Sequence, residues 1–130
     1  MLEEKLIDEN YKVQLEDQNK ISLFFLKDNI WERAGCLIFE YTNYILLGRQ
    51  NDYCNLINMH VFDEHQNKKL GHAMFEFLME ILPNNVYALL CHTDKILNKV
   101  QVPKIFGKHD PMTVGKYEVI LNKNFKEIHK

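Results

Sequence analysis

Between Asn55 and Glu80 the spacing of the apolar residues changes once, and that change constrains most of what this chain can fold into. In NLINMHV, Leu56, Asn58 and His60 fall on one side of a strand, and Ile57, Met59 and Val61 on the other. From Leu70 onward, Leu70, Ala73, Met74, Phe77, Leu78, Ile81 and Leu82 recur at three and four, which predicts a helix packed along one stripe. The connection, HQNKK, is polar, carries two lysines and leads to Gly71 just inside the helix. Unpaired amides at a helix N-terminus face outward and the macrodipole favours negative charge there, so strand, loop and helix together make an anion-binding geometry. The lysines add point charges. The plainer reading is a strand-to-helix turn with a solvated lysine pair.

The flanks extend this unit. ISLFFLKDN, from Ile21, is a β-rich run closed by the turn cluster Lys27-Asp28-Asn29, and Gly35–Tyr41 predicts a second strand that Tyr44–Leu47 continues. Gly48–Asp52 turns the chain into the strand ending at Val61, so short connections predict an antiparallel meander. Pro83-Asn84-Asn85 stops the helix. VYALLC, Val86–Cys91, reads as a strand buried on both faces and parallel to its neighbour, completing a right-handed βαβ crossover. Thr93 or Asp94 caps a second short helix, Lys95–Val100. Gly107–Gly115 is a polar loop, Tyr117–Leu121 a final strand, and the tail from Asn122 frays. Met1–Asn19 leaves two readings open: helical turns on Leu2, Leu6 and Ile7, or a strand on Tyr11, Val13 and Leu15. The fold class is α/β (mixed α+β): a twisted mixed sheet, meander first and βαβ unit second.

Other classes lose support. A chain of 130 residues reads as one domain, spanning 1–130, that buries roughly two-thirds of its unfolded surface. Its net charge of −2 gives no nucleic-acid footprint. No apolar run approaches the ~20 residues that span a bilayer, and MLEEKLIDEN is too acidic for a signal peptide. Cys36, Cys54 and Cys91 are odd in number and have no C-x-x-C spacing, which suits reduced thiols in the cytoplasm. His60, His65 and His72 are spread over strand, loop and helix without HExxH or paired cysteines, so no metal site is expected.

Val61-Phe62-Asp63-Glu64-His65-Gln66-Asn67-Lys68-Lys69-Leu70-Gly71 resembles the pyrophosphate-binding segment of the GCN5-related N-acetyltransferases, where a strand ending in Val leads to Gln/Arg-x-x-Gly-x-Gly/Ala and a helix. Gln66 and Gly71 match in place, and Lys69 stands where the first glycine would be. Leu23–Asn29, Gly35–Leu47 and Cys54–Leu78 are similar, in order and spacing, to the α-tubulin N-acetyltransferase domain. Thr93-Asp94-Lys95-Ile96-Leu97 is similar to a segment of that family that contributes to the acetyl-CoA site. The resemblance implies acetyl-CoA as co-substrate, held by His60, Val61, Gln66, Asn67, Lys68, Lys69, Leu70, Gly71, His72, Thr93, Asp94 and Lys95. It implies a protein lysine amine as acceptor, of α-tubulin or another protein. A small-amine acetyltransferase and a catalytically degenerate acyl-CoA-binding or interaction module are the alternatives. No nucleic-acid or membrane partner is implied.

The tubulin branch also places a functional cysteine on the central strand and an aspartate after the central helix. Here those positions fall at Asn55 and at Cys91 or His92, and Cys54 is one residue early. A one-residue slip turns a side chain to the opposite face unless a bulge absorbs it. Acetyl transfer from a thioester needs a neutral amine attacking through a tetrahedral intermediate. At a reference pKa of ~10.4, deprotonating lysine near pH 7 costs roughly 4–5 kcal/mol, which desolvation or a base must cover. His92, Cys54 and Cys91 are the catalytic candidates, with His60, Asp63 and Glu64 as further bases and a backbone N–H near His60 or Val61 for the oxyanion. Each of these also has a bland reading, as buried small hydrophobe, structural histidine or solvated loop.

Overall fold

The computed structural model describes residues 3–46, 48–92 and 109–126. Asp28 and Asn29 set the first hairpin: both have positive φ, 52° and 64°, and they join Lys27 to its partner Ile30 as a two-residue turn of the kind that matches strand twist. The strand therefore begins at Ile30, directly after the turn, rather than at Gly35. In chain order the strands are β1 (Glu4–Leu6), β2 (Tyr11–Asp17), β3 (Lys20–Lys27), β4 (Ile30–Leu46), β5 (Arg49–Val61), β6 (Val86–His92), β7 (Met112–Val114) and β8 (Tyr117–Leu121). One helix, α1 (Leu70–Ile81), and a 3-10 turn, Asp63–His65, lie between β5 and β6. The strands form one mixed sheet in the order β1-β2-β3-β4-β5-β6-β8-β7. β1–β2, β2–β3 and β3–β4 pair antiparallel, and β5–β6 pair parallel around α1, as the meander and the strand–helix–strand unit predict.

The chain divides into two compact units, Met1–Ile38 with Asn58–Ile81, and Phe39–Ile57 with Leu82–Lys130. β4 and β5 contribute to both. In the first unit, alternation buries Tyr11 and Val13 on β2 and Ile21 and Leu23 on β3, and Leu37, opposite Ile21, and Ala34 are buried on β4. α1 packs on β2 and β3 and buries Leu70, Met74, Phe75, Phe77 and Leu78. Each such side chain contributes about 1.5–3 kcal/mol. The open reading of the N-terminus resolves to strands: β2 on Tyr11, Val13 and Leu15, and β1 where Leu6 had suggested a helical turn. β1 gains its place by pairing Glu4–Leu6 with Lys12–Gln14, a tertiary effect that local propensity does not carry.

The second unit has its core at Tyr53, Ala88, Leu90 and Val119, with Leu46, Tyr87, Val114 and Tyr117 packed against it. Two expectations are corrected here. The segment after Gly107 is not loop throughout, because Met112–Val114 forms β7 against β8. Nor is the tail frayed through Lys126. Asn122 is buried and donates its amide to the carbonyls of Pro83 and Val86 at 3.0 and 2.9 Å. The Lys126 N–H reaches the Asn84 carbonyl at 2.9 Å, and the Phe125 ring meets Tyr87 edge-on. The second helix expected over Lys95–Val100 lies outside the described residues.

Candidate functional site

Val61, at the end of β5, leads into the segment that joins it to α1. The Phe62 N–H donates to the Ala34 carbonyl at 2.8 Å, and the 3-10 turn closes when the His65 N–H bonds to the Phe62 carbonyl. Gln66 then braces the turn from its side chain, donating to the Val61 carbonyl at 3.0 Å and to the Asp63 carboxylate at 3.2 Å. Its amide therefore serves the shape of the loop. Asn67 and Lys69 follow with φ of 67° and 59°. The Ala73 N–H donates to the Lys69 carbonyl at 3.2 Å, so α1 starts immediately after a left-handed residue. The first turn of α1 carries no acidic side chain to neutralise the amide end of the helix. Lys68 and Lys69 supply charge beside it, and Leu70 is buried, leaving only its backbone for a ligand.

Two contacts fix this segment to the sheet. A Cβ built on Gly35 would lie 2.5 Å from the His60 carbonyl oxygen and 3.1 Å from the Val61 Cα. Only glycine lets β4 come this close to the end of β5. Ala34 beside it is the extra residue of a β-bulge, since Leu23 pairs with Gly35 and Phe24 with Arg33. On the other side, the His65 ring packs among Tyr11 and Phe25, with the Tyr11 hydroxyl 2.8 Å from its Nδ1. The exposed His60 ring lies against Phe62.

The catalytic candidates belong to the second unit. Parallel pairing sets Cys54 opposite Leu89 and Leu56 opposite Cys91, so both thiols point to one face of the sheet. Asn55 and His92 point to the other. The register shift in this pair lies between Asp52 and Tyr53, with Tyr87 as the extra residue on β6, so no bulge turns Cys54 out of its alternation. Both cysteines are fully buried. Burial pushes the Cys54 thiol well up, and burial followed by the charge of Glu118 pushes Cys91 up to about 12. His92 is partly buried, its ring edge-on to Tyr117 at 5.5 Å and its buried Nδ1 without a hydrogen-bond partner. Thr93, Asp94 and Lys95 lie outside the described residues.

A cleft of about 200 Å³ opens elsewhere in this unit, lined by Arg49, Asn51, Tyr53, Tyr87, Met112 and Val119 among others. Asn51 Nδ2 is buried there without a partner, and the Arg49 guanidinium lies over the Tyr87 ring. Among the described residues no group of His, Cys, Asp or Glu is arranged to hold a metal ion, and no helix is long and apolar enough to cross a membrane.

No protein-family model matches this chain, and no curated protein matches it in sequence. Solved structures do match. The KacTA–DNA complex aligns with a TM-score of 0.64 at 10% identity, over 83% of this chain and 71% of that one. A mutant of the toxin AtaT, bound to the C-terminus of the antitoxin AtaR and acetyl-CoA, gives 0.62 at 11% identity over 85% and 69%. NAA60 of Arabidopsis thaliana, in complex with a bisubstrate analogue, gives 0.54 at 6% identity over 84% and 78%. The fold is that of the GCN5-related N-acetyltransferases. At these identities the likeness carries architecture and leaves substrate and partners open.

Three features of this acetyltransferase fold were not visible in the sequence: the Gly35 approach to His60, the Tyr11–His65 contact, and Tyr117 beneath His92. Each joins residues far apart in the chain. Only Gly35 left a signal, as a glycine at the head of the apolar run Cys36–Phe39, since a glycine in a strand often marks a bulge or a close backbone approach.

Proposed function

We propose that this chain transfers an acetyl group from acetyl-CoA to an amine, with the pyrophosphate held by the segment from Gln66 to His72. One observation carries the reading. Lys69 takes φ of 59° at the position where the resemblance calls for glycine, a backbone conformation that glycine adopts without strain. Asp28, Asn29, Asn67 and Asp110 also take positive φ, but Asn and Asp tolerate it, whereas a lysine held there is a local cost. Two lysines and an unneutralised helix N-terminus give the same place its affinity for an anion.

His92 is the base that best suits the acceptor amine. Its Nδ1 has no partner, and imidazole accepts a proton near pH 7, whereas the buried thiols of Cys54 and Cys91 hold theirs. The acceptor is a lysine amine of a protein, α-tubulin among them, or a small amine. The three free thiols suit action in the cytoplasm.

Incubation with acetyl-CoA and either tubulin or a panel of amines, read by free-thiol release and mass spectrometry, tests the proposal. Thiol release with an acetylated product supports it, and His92→Ala then lowers turnover more than Cys54→Ser. Release with small amines only excludes the tubulin acceptor. Silence despite tight acetyl-CoA binding makes the chain an acyl-CoA-binding module.

A further inference from the structure

The loop between β5 and α1 is tied to β2 by a hydrogen-bond chain whose proton order can be worked out. Lys68 Nζ lies 3.2 Å from the Tyr11 hydroxyl, and the same hydroxyl lies 2.8 Å from His65 Nδ1. An ammonium only donates, so the Tyr11 oxygen accepts from Lys68. Tyr11 is 4% exposed, and a buried hydroxyl proton without an acceptor is costly. His65 Nδ1 is the acceptor at hand. The chain runs Lys68 N–H to Tyr11 O–H to His65 Nδ1, which requires neutral His65 with its proton on Nε2. Phe25 and Tyr11 pack around the imidazole and fix its plane, and the Lys68 ammonium also lies 5.6 Å from the Tyr11 ring centroid.

This arrangement leaves the Lys68 ammonium two further donors and ties the end of its stem to Tyr11. We propose that Tyr11 is the positioning residue of the acyl-CoA site, holding Lys68 ready for the pyrophosphate through the Lys68–Tyr11–His65 chain. The role rests on the acetyl-CoA reading of the loop and adds a residue 50 or more positions away from it in sequence. A lysine tethered before the ligand arrives does not have to be ordered on binding, so the contact shows in affinity for the anion.

Calorimetry with coenzyme A and with pantetheine, which lacks the pyrophosphate, tests this in the full chain. Tyr11→Phe keeps the ring contacts and removes only the hydroxyl. It weakens coenzyme A binding about two- to tenfold, the range of one ordinary intramolecular hydrogen bond, and leaves pantetheine unchanged. Lys68→Met reads the same chain from its other end, and the double variant loses no more than the weaker-binding single variant. In the wild type, long-range 15N–1H correlation of His65 shows the Nε2-protonated tautomer. Equal coenzyme A affinity in Tyr11→Phe, equal losses for both ligands, or additive losses in the double variant overturn the positioning role while the loop reading stands. A wild type that binds coenzyme A no better than pantetheine overturns the loop reading, and this role with it.

Discussion

Replacing Lys69 by glycine should stabilise the protein. Lys69 sits at φ of 59°, where an L-residue with a Cβ is disfavoured by about 1–2 kcal/mol. Glycine removes that cost and adds about 0.5–1 kcal/mol of backbone entropy to the unfolded chain. The difference leaves a gain of about 0.5–1 kcal/mol, or roughly 2–4 °C in Tm for a domain of this size. Lys69→Ala is the control, because it removes the charge and keeps the Cβ in the same conformation. Thermal and urea unfolding of the three proteins, with the m-value checked for constancy, separates strain from charge. Glycine should raise the midpoint and alanine should not. An alanine variant as stable as the glycine variant, or a glycine variant below wild type, would refute the claim that strain is stored at this residue. Under the acetyl-CoA reading both variants also bind coenzyme A more weakly, since each loses one cation beside the helix N-terminus.

Gly35→Ala drives a Cβ to 2.5 Å from the His60 carbonyl oxygen, which belongs to backbone and cannot swing aside; a loss of about 2–3 kcal/mol in chemical unfolding is expected, and a loss near zero would show that β5 yields. Alkylation of the native protein with iodoacetamide should label Cys36, which is partly exposed, well before the buried Cys54 and Cys91, and all three after unfolding. Early labelling of Cys54 would mean that its thiol faces solvent. The Asn43 amide, followed by that of Asn85, donates to the Asp52 carboxylate and holds it below the ordinary carboxylate range. A lowered folded value adds stability that is full above the unfolded pKa and is lost as the pH falls through the folded one. Asn43→Ala should therefore lower stability at neutral pH and flatten its decline in acid, as read by unfolding midpoints from pH 7 downward; an unchanged pH profile would contradict the role of this bond.

What the sequence made legible was periodic or local. The switch from alternation to helical spacing between Val61 and Leu70 located β5 and α1, and Lys27-Asp28-Asn29 announced its hairpin because the turn needs residues that tolerate positive φ. At Lys69, where the resemblance has glycine, the backbone is left-handed. β1 and β7 were missed because three-residue strands carry no period and owe their existence to a partner. The site was less legible than the fold. The motif marks Gln66 as a ligand residue, and sequence cannot show that its side-chain amide also braces the loop by donating to Val61 and Asp63. Cys91 and His92 are adjacent in the chain, yet adjacent residues of a strand face opposite ways, and no bulge turns Cys54, since the register shift falls at Tyr87 on β6.

The most direct measurement is calorimetric titration of the wild-type chain and of Gly71→Trp with acetyl-CoA, with acetate as the control ligand. Gly71 is the second residue of α1, beside the amides assigned to the pyrophosphate, and an indole there would cover them. Saturable binding of acetyl-CoA by the wild type, none of acetate, and loss of binding in a Gly71→Trp variant that still unfolds cooperatively is the predicted result. No binding at millimolar acetyl-CoA, or undiminished binding by Gly71→Trp, would contradict it.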